Sequence, residues 1–170
     1  MALRAIENKR MNVIQVTQYS EKILEAINEL LPQLSSSAEP LTASKLKEII
    51  QSESSHLLMA EENGKFYGSL TLVTFIIPTG IRAWIEDVVV KENARGKGVG
   101  KLLSERAVGL ASEIGAKTID LTSRPSREAA NALYKKVGFE VRETNVYRYK
   151  TSYKLLKNEV QKSTLVLTSR

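Results

Sequence analysis

The sequence predicts a mixed α+β fold: a central, twisted, mostly antiparallel sheet of about seven strands, with helices on both faces. Three observations carry this expectation. In the first half, strand-like apolar runs dominate, and two of them are joined by Asn63-Gly64, a two-residue turn that matches the twist of paired strands. In the second half the rhythm changes to apolar positions at helical spacing, over 99–114 and again over 130–137. Between those helical stretches lies a β-prone run, KTIDLTS (117–123), so an antiparallel series is followed by a β-α-β unit.

Residues 1–10 are polar and unpatterned and read as an N-terminal extension reaching to Met11, a candidate internal start. NVIQVT (12–17) alternates and reads as a strand. Ser20 is a helix N-cap, because the positions after it, Ile23, Leu24, Ile27, Leu30 and Leu31, follow helical spacing. Pro32 and the serines at 35–37 make a loop, and Thr42 caps a second helix with Leu46, Ile49 and Ile50 on its apolar face. HLLMAEE (56–62) and KFYGSLTLVTFII (65–77) form the hairpin about Asn63-Gly64. Pro78-Thr79-Gly80 turns the chain into IRAWIEDVVV (81–90), the fourth strand. A glycine-rich loop (95–100) opens a helix that buries Val99, Leu102, Leu103, Leu110, Ala111 and Ile114, and Gly115 ends it. Pro125 and Ser126 open the last helix, which buries Ala130, Leu133 and Val137 and ends at Gly138. FEVR (139–142) and NVYRYK (145–150) complete the strand count, so 12–150 form one domain. In the tail, 151–170, TSYKLLKNEVQK reads as a helix and STLVLTS as a strand; a strand added to a neighbour's sheet would make a homodimer.

A chain of 170 residues can bury a core without disulfides or metals. The absence of cysteine excludes thiolate metal sites, iron–sulfur clusters and a cysteine nucleophile. One histidine, His56, excludes a multi-histidine metal centre and argues against a Ser-His-Asp triad, so no metal is expected. No apolar run reaches membrane-spanning length and MALRAIENKR has no signal-peptide core, so no membrane partner and a cytoplasmic location are expected. Charge divides along the chain: residues 11–90 total −5 and residues 91–170 total +9. An anionic ligand then suits the second half and a cationic one the first. Nucleic acid would also use a basic half, but the sequence has no interleaving of aromatic and basic residues and no recognition motif, so no nucleic-acid partner is expected.

The chemistry concentrates in VVVKENARGKGVGKLL, which runs strand, loop, glycine turn, helix. Glycines 96, 98 and 100 let successive N–H groups point to one centre at a helix N-terminus, a device that binds phosphate. Arg95, Lys97 and Lys101 add positive charge. It is not a Walker loop, since Leu102 follows Lys101, and the glycine spacing does not fit a dinucleotide fingerprint.

Arg95-Gly96-Lys97-Gly98-Val99-Gly100 resembles the Arg/Gln-x-x-Gly-x-Gly/Ala signature of the GNAT acetyltransferase superfamily. The strand ending IEDVVV before it and ANALYKKVGFE (130–140) after it, similar to the superfamily's Leu-Tyr-x-x-x-Gly-Phe segment, extend that resemblance over about 12–150. The resemblance implies acetyl-CoA as co-substrate and acetyl transfer to an amine of a small molecule or peptide. It implies that the backbone of Arg95, Gly96, Lys97, Gly98, Val99 and Gly100 cradles the coenzyme A pyrophosphate. It further implies that Val88, Val89 and Val90 pair their main chain with the pantetheine arm, and that an amide there polarises the thioester carbonyl where the strand is bulged or splayed. Tyr134 stands where the family keeps a tyrosine near the thioester sulfur. Where many members have Asn seven residues before that tyrosine, this chain has Arg127; Arg127 and Asn131 share a helix face with Tyr134, and one or both are expected to contact the cofactor.

The acceptor amine arrives protonated and needs a base. Some relatives carry a glutamate on the fifth strand, twelve residues before the tyrosine, but that position here is Thr122. Glu86 shares strand parity with Trp84, Val88 and Val90 and is the first candidate base; Asp87 is the second. His56 begins a strand remote from these motifs and reads as structural. Against an N-acetyltransferase stands a non-catalytic acyl-CoA-binding or sensor module of the same fold, which the phosphate nest supports equally. Glu86 and Tyr134 favour the enzyme.

Overall fold

In the computed structural model, which describes residues 11–151, the caps read from the sequence form as hydrogen bonds. After strand β1 (Asn12–Gln15), the Ser20 hydroxyl accepts from the Ile23 amide at 3.2 Å and opens α1 (Glu21–Leu34). The Thr42 hydroxyl accepts from the Lys45 amide at 3.2 Å and opens α2 (Ala43–Gln51). Pro32 lies inside the last turn of α1 instead of ending it, and the helix closes with Ser35 N–H donating to Leu31 O. Proline there removes one helical donor near a terminus, while Leu30, Leu31 and Leu34 keep that turn packed.

Strands β2 (Ser55–Glu62), β3 (Lys65–Ile77) and β4 (Gly80–Val90) follow as a meander, and Asn63 and Gly64 take the positive φ angles the hairpin turn requires. A 3-10 turn (Glu92–Ala94) leads to α3 (Val99–Ile114), β5 (Ile119–Leu121) and α4 (Glu128–Val137). The sheet order is β1-β2-β3-β4-β5, antiparallel except for the parallel β4–β5 pair. Each sheet face carries a core. Leu58, Leu70, Leu72, Ala83 and Ile85 pack with Val99, Leu103 and Ala107 of α3. Leu57, Met59, Phe66 and Val89 pack with Leu24, Ile27 and Leu30 of α1 and Leu46 of α2. Leu46, Leu58, Leu70, Leu72 and Leu103 are fully buried, and truncating any one to alanine costs roughly 2–5 kcal/mol.

The expected fold class holds with three corrections. The described residues form five strands, not about seven: FEVR and NVYRYK contain none. Their alternation expresses a local preference, and a strand exists only as one side of a ladder. The fifth strand is shorter than 117–123, and α4 begins at Glu128 because residues 124–127 are spent in a turn, with Arg127 N–H donating to Arg124 O. The chain divides into two units, Met1–Glu140 and Val141–Arg170; the first holds every element above, and in the second residues 141–151 have no helix or strand. The N-terminal extension before Met11 and the tail's helix and strand lie outside the described residues.

Candidate functional site

The site begins with an irregularity in β4. Thr71 pairs with Glu86 and Ser69 pairs with Val89, so the single residue Leu70 stands opposite both Asp87 and Val88. That is a β-bulge, and Asp87 sits in it at φ +53°, a left-handed conformation that aspartate tolerates better than most residues. The extra residue exchanges the faces of the strand. Ala83 and Ile85 before the bulge, and Val88 and Val90 after it, all turn to the α3 side. Trp84 and Glu86 therefore face the opposite side, that of α1 and α2, as Val89 does. The shared parity of Glu86 with Val88 and Val90 expected from the sequence is thus corrected: alternation holds only within an unbroken ladder.

The same bulge frees an edge. β4 pairs with β5 only at Ala83, Trp84 and Ile85. Past Ile85 the two strands part. Lys91 N–H donates to Tyr67 O at 2.8 Å across β3. Alternation then directs the peptide groups of Val89 to β3 and those of Val88 and Val90 to the open side.

Beyond β4 the 3-10 turn and the residues after it consume three amides: Ala94 N–H donates to Lys91 O, Arg95 N–H to Glu92 O and Lys97 N–H to Ala94 O. Gly98, at φ +83°, caps α3, and the first helical bond runs from Leu102 N–H to Gly98 O. The amides of Val99, Gly100 and Lys101 consequently have no helical partner. A Cβ placed on Gly96 or Gly98 would meet nothing within 4 Å, so open space lies over both residues. Gly100 serves differently: its missing Cβ would stand 3.1 Å from Leu133 Cδ1, and this close approach lets α4 lie against the start of α3.

These pieces enclose a cavity of about 470 Å³, lined by Val88 and Val90, by Arg95, Gly96, Gly98, Val99, Gly100 and Lys101, by Arg127 just before the last helix, and by Leu133 and Tyr134 of that helix. Val89 and Lys97 do not line it, and neither does Asn131, whose amide donates to Arg124 O at 2.9 Å and so braces the turn before α4. Ala129, Ala132 and Lys136 line the cavity as well and were not singled out in the sequence, and Ala130, read there only as a buried helix position, joins them. Alanines at the mouth of a helix leave room, which is the one signal they carried. Tyr134 is half-buried and its ring meets Phe139 edge-on, centroids 6.0 Å apart. Burial pushes its hydroxyl above the ordinary phenol value, and the Arg127 charge partly offsets this. The phenol is therefore protonated at neutral pH.

The residues present fit coenzyme A. Open space over two positive-φ glycines, unpaired amides at a helix N-terminus and the cations Arg95, Lys101 and Arg127 suit a pyrophosphate. The apolar walls Val88, Val90, Val99 and Leu133, with a free strand edge beside them, suit a pantetheine arm.

Across β4, Glu86 is exposed and its Oε1 accepts from Trp84 Nε1 at 2.7 Å. Asp87 is exposed in the bulge. Glu86 and Tyr134 thus approach the parting of β4 and β5 from opposite faces of the sheet. His56 lies elsewhere: Nδ1 bonds Gln15 Nε2 at 3.3 Å and Nε2 bonds Thr74 Oγ1 at 3.2 Å. Among the described residues no group of His, Cys, Asp and Glu is arranged to hold a metal ion, and no helix is long and apolar enough to cross a membrane.

Comparison with known proteins agrees with this geometry. The chain is 36% identical over 97 residues to the uncharacterized N-acetyltransferase YhfO of Bacillus subtilis (strain 168), a match covering 56% of this chain and 65% of that protein, just under two thirds. It is 23% identical over 138 residues to N-alpha-acetyltransferase 30 of Schizosaccharomyces pombe, covering 81% of this chain and 90% of that one. A solved structure from Agrobacterium tumefaciens str. C58, described as an acetyltransferase, superposes with a TM-score of 0.73 at 23% identity, over 82% of this chain and 99% of that one, and so shares the fold. The family model for the acetyltransferase (GNAT) family matches residues 22–139. With more than half of its length matched, and with the glycine nest and parted strands that the match spans, this chain belongs to the GNAT family of acetyltransferases, enzymes that take their acetyl group from acetyl-CoA.

Proposed function

We propose that the protein transfers an acetyl group from acetyl-CoA directly to a primary amine of a small molecule or peptide. One observation carries the reading: the glycine nest, the free edge of β4 and the Tyr134 side chain line a single cavity. When bound, acetyl-CoA supplies an activated acetyl thioester. The amides of Gly98, Val99, Gly100 and Lys101, with Arg95 and Arg127, hold its phosphates. The Val88 and Val90 main chain orients the pantetheine as an added strand would, and an amide at the bulge is available to the thioester carbonyl.

Glu86 takes a proton from the incoming ammonium, and the indole N–H of Trp84 holds the carboxylate in place. The neutral nitrogen then forms the N–C bond while the C–S bond breaks, and the acylated nitrogen releases its second proton to solvent, leaving the neutral amide. Tyr134 donates its phenolic proton to the departing sulfur and recovers one from solvent. No covalent enzyme intermediate is needed, which agrees with the absence of cysteine. Asp87 is the second candidate for the base.

The test is acetyl-CoA incubated with the full chain and a panel of amines, reading free thiol and acetylated product. Stoichiometric release of both with at least one amine is expected. Tight acetyl-CoA binding with no turnover on any amine would leave the chain as an acyl-CoA-binding module.

A further inference from the structure

Among the described residues, the sheet face that carries Glu86 is only partly covered. Helices α1 and α2 pack over Leu57, Met59, Phe66 and Val89. Val73, Phe75, Ile77 and Trp84 belong to neither core cluster, although they share that face. Register places them together: Thr71 is opposite Glu86, Val73 opposite Trp84 and Phe75 opposite Arg82. Phe75 is 42% exposed and Ile77 36% exposed. An apolar stripe therefore runs from the candidate base to the tip of the β3–β4 hairpin. Six residues of strand separate Thr71 from Ile77, which at ~3.3 Å per residue is roughly 20 Å.

Charge on this face is polarised. Glu86 marks the inner end. Arg82 stands farther out, its guanidinium donating to Thr79 Oγ1 and Ile81 O. A polycationic sugar laid along the stripe would cover apolar surface and meet Arg82. A single ammonium followed by an apolar body matches it from end to end. Acidity adds a separate argument. An α-amine has an ordinary pKa near 8, against about 10.4 for a lysine side chain, so it gives up its proton more readily to a carboxylate.

Resting on the N-acetyltransferase reading above, we infer that the acceptor is the free N-terminus of a peptide segment with apolar side chains: its α-amine meets Glu86, and its body lies on Val73, Phe75 and Trp84. The stripe is long enough for about six extended residues.

The full chain is assayed with acetyl-CoA and four acceptors. The first two are seven-residue peptides without lysine, one with leucine and phenylalanine at positions 2–4 and one with serine and glycine there. The third is an N-terminally blocked peptide with one lysine, and the fourth is a polyamino sugar. The apolar-led peptide is expected to exceed the serine/glycine peptide in kcat/KM by about tenfold or more, the size expected from burying large apolar side chains. Phe75→Ser should bring that ratio close to one. Ile76→Ser is the folding control, because Ile76 is 83% exposed and lies on the other face; it should leave the ratio unchanged. Equal kcat/KM for the two free peptides, a ratio that Phe75→Ser does not move, or turnover confined to the lysine peptide or the sugar overturns the inference alone. Turnover of none of the four overturns it together with the reading on which it rests.

Discussion

Replacing Gly98 by alanine separates the cost of a backbone conformation from the loss of a ligand site. Gly98 caps α3 at φ +83°, and a Cβ there meets no atom within 4 Å. No steric clash therefore arises, and the folded state loses only the left-handed penalty, about 1–2 kcal/mol. For a chain of this length that is a fall in Tm of roughly 2–8 °C. Binding suffers more. A variant that relaxes away from positive φ must recover about 1–2 kcal/mol to rebuild the nest, and a new methyl in the space over the glycine removes a charge-assisted hydrogen bond worth about 1.5–3 kcal/mol. The hydrogen-bond loss by itself predicts a fall in acetyl-CoA affinity of roughly 10–150-fold, and a variant that has also relaxed away from positive φ, and so melts closer to the wild type, loses about tenfold again. Valine, branched at Cβ, should abolish binding with the fold retained. The assay is titration calorimetry with coenzyme A, alongside a thermal melt of the same sample. A folded Gly98→Ala or Gly98→Val protein that binds with unchanged Kd would refute the assignment of the pyrophosphate to this loop.

Three further outcomes are expected. Tyr134→Phe keeps the ring and its edge contact with Phe139; kcat should fall ~10²-fold or more with acetyl-CoA affinity nearly unchanged, and a wild-type kcat under chemistry-limited conditions leaves Tyr134 with a packing role only. Glu86→Gln preserves an acceptor for the Trp84 indole N–H but removes the negative charge; kcat/KM should fall ~10²-fold at neutral pH and recover as pH approaches the acceptor's own pKa, whereas a pH–rate profile matching the wild type assigns the proton to another group. His56 is held below its ordinary pKa by burial, so the unfolded chain binds a proton that the folded chain resists, and stability present above pH ~6.5 should decline as pH falls below it. His56→Gln should flatten that decline in thermal melts between pH 7 and pH 5, and an identical slope in the variant removes His56 as its source.

Much of this protein is written in short-range chemistry. Ser20 and Thr42 cap their helices, Gly115 and Gly138 end theirs in left-handed geometry, and Asn63-Gly64 turns its hairpin, because each depends on a residue and its near neighbours alone. The nest is legible for the same reason: Gly96 and Gly98 take positive φ where the sequence spacing asks for it. The faces of β4 are different. Whether Leu70 meets one residue or two is decided by long-range register between β3 and β4, and the bulge at Asp87 moves Glu86 to the face opposite Val88 and Val90. Asn131 likewise shares a helix face with Tyr134, yet its amide is drawn to the carbonyls of Arg124 and Pro125 by the turn in which α4 begins. FEVR and NVYRYK have strand patterning but no ladder partner among the described residues. Local sequence determined the caps, the turns and the phosphate nest. Only the tertiary structure decided which side of the sheet each reactive group occupies, because that depends on pairing with residues distant in the chain.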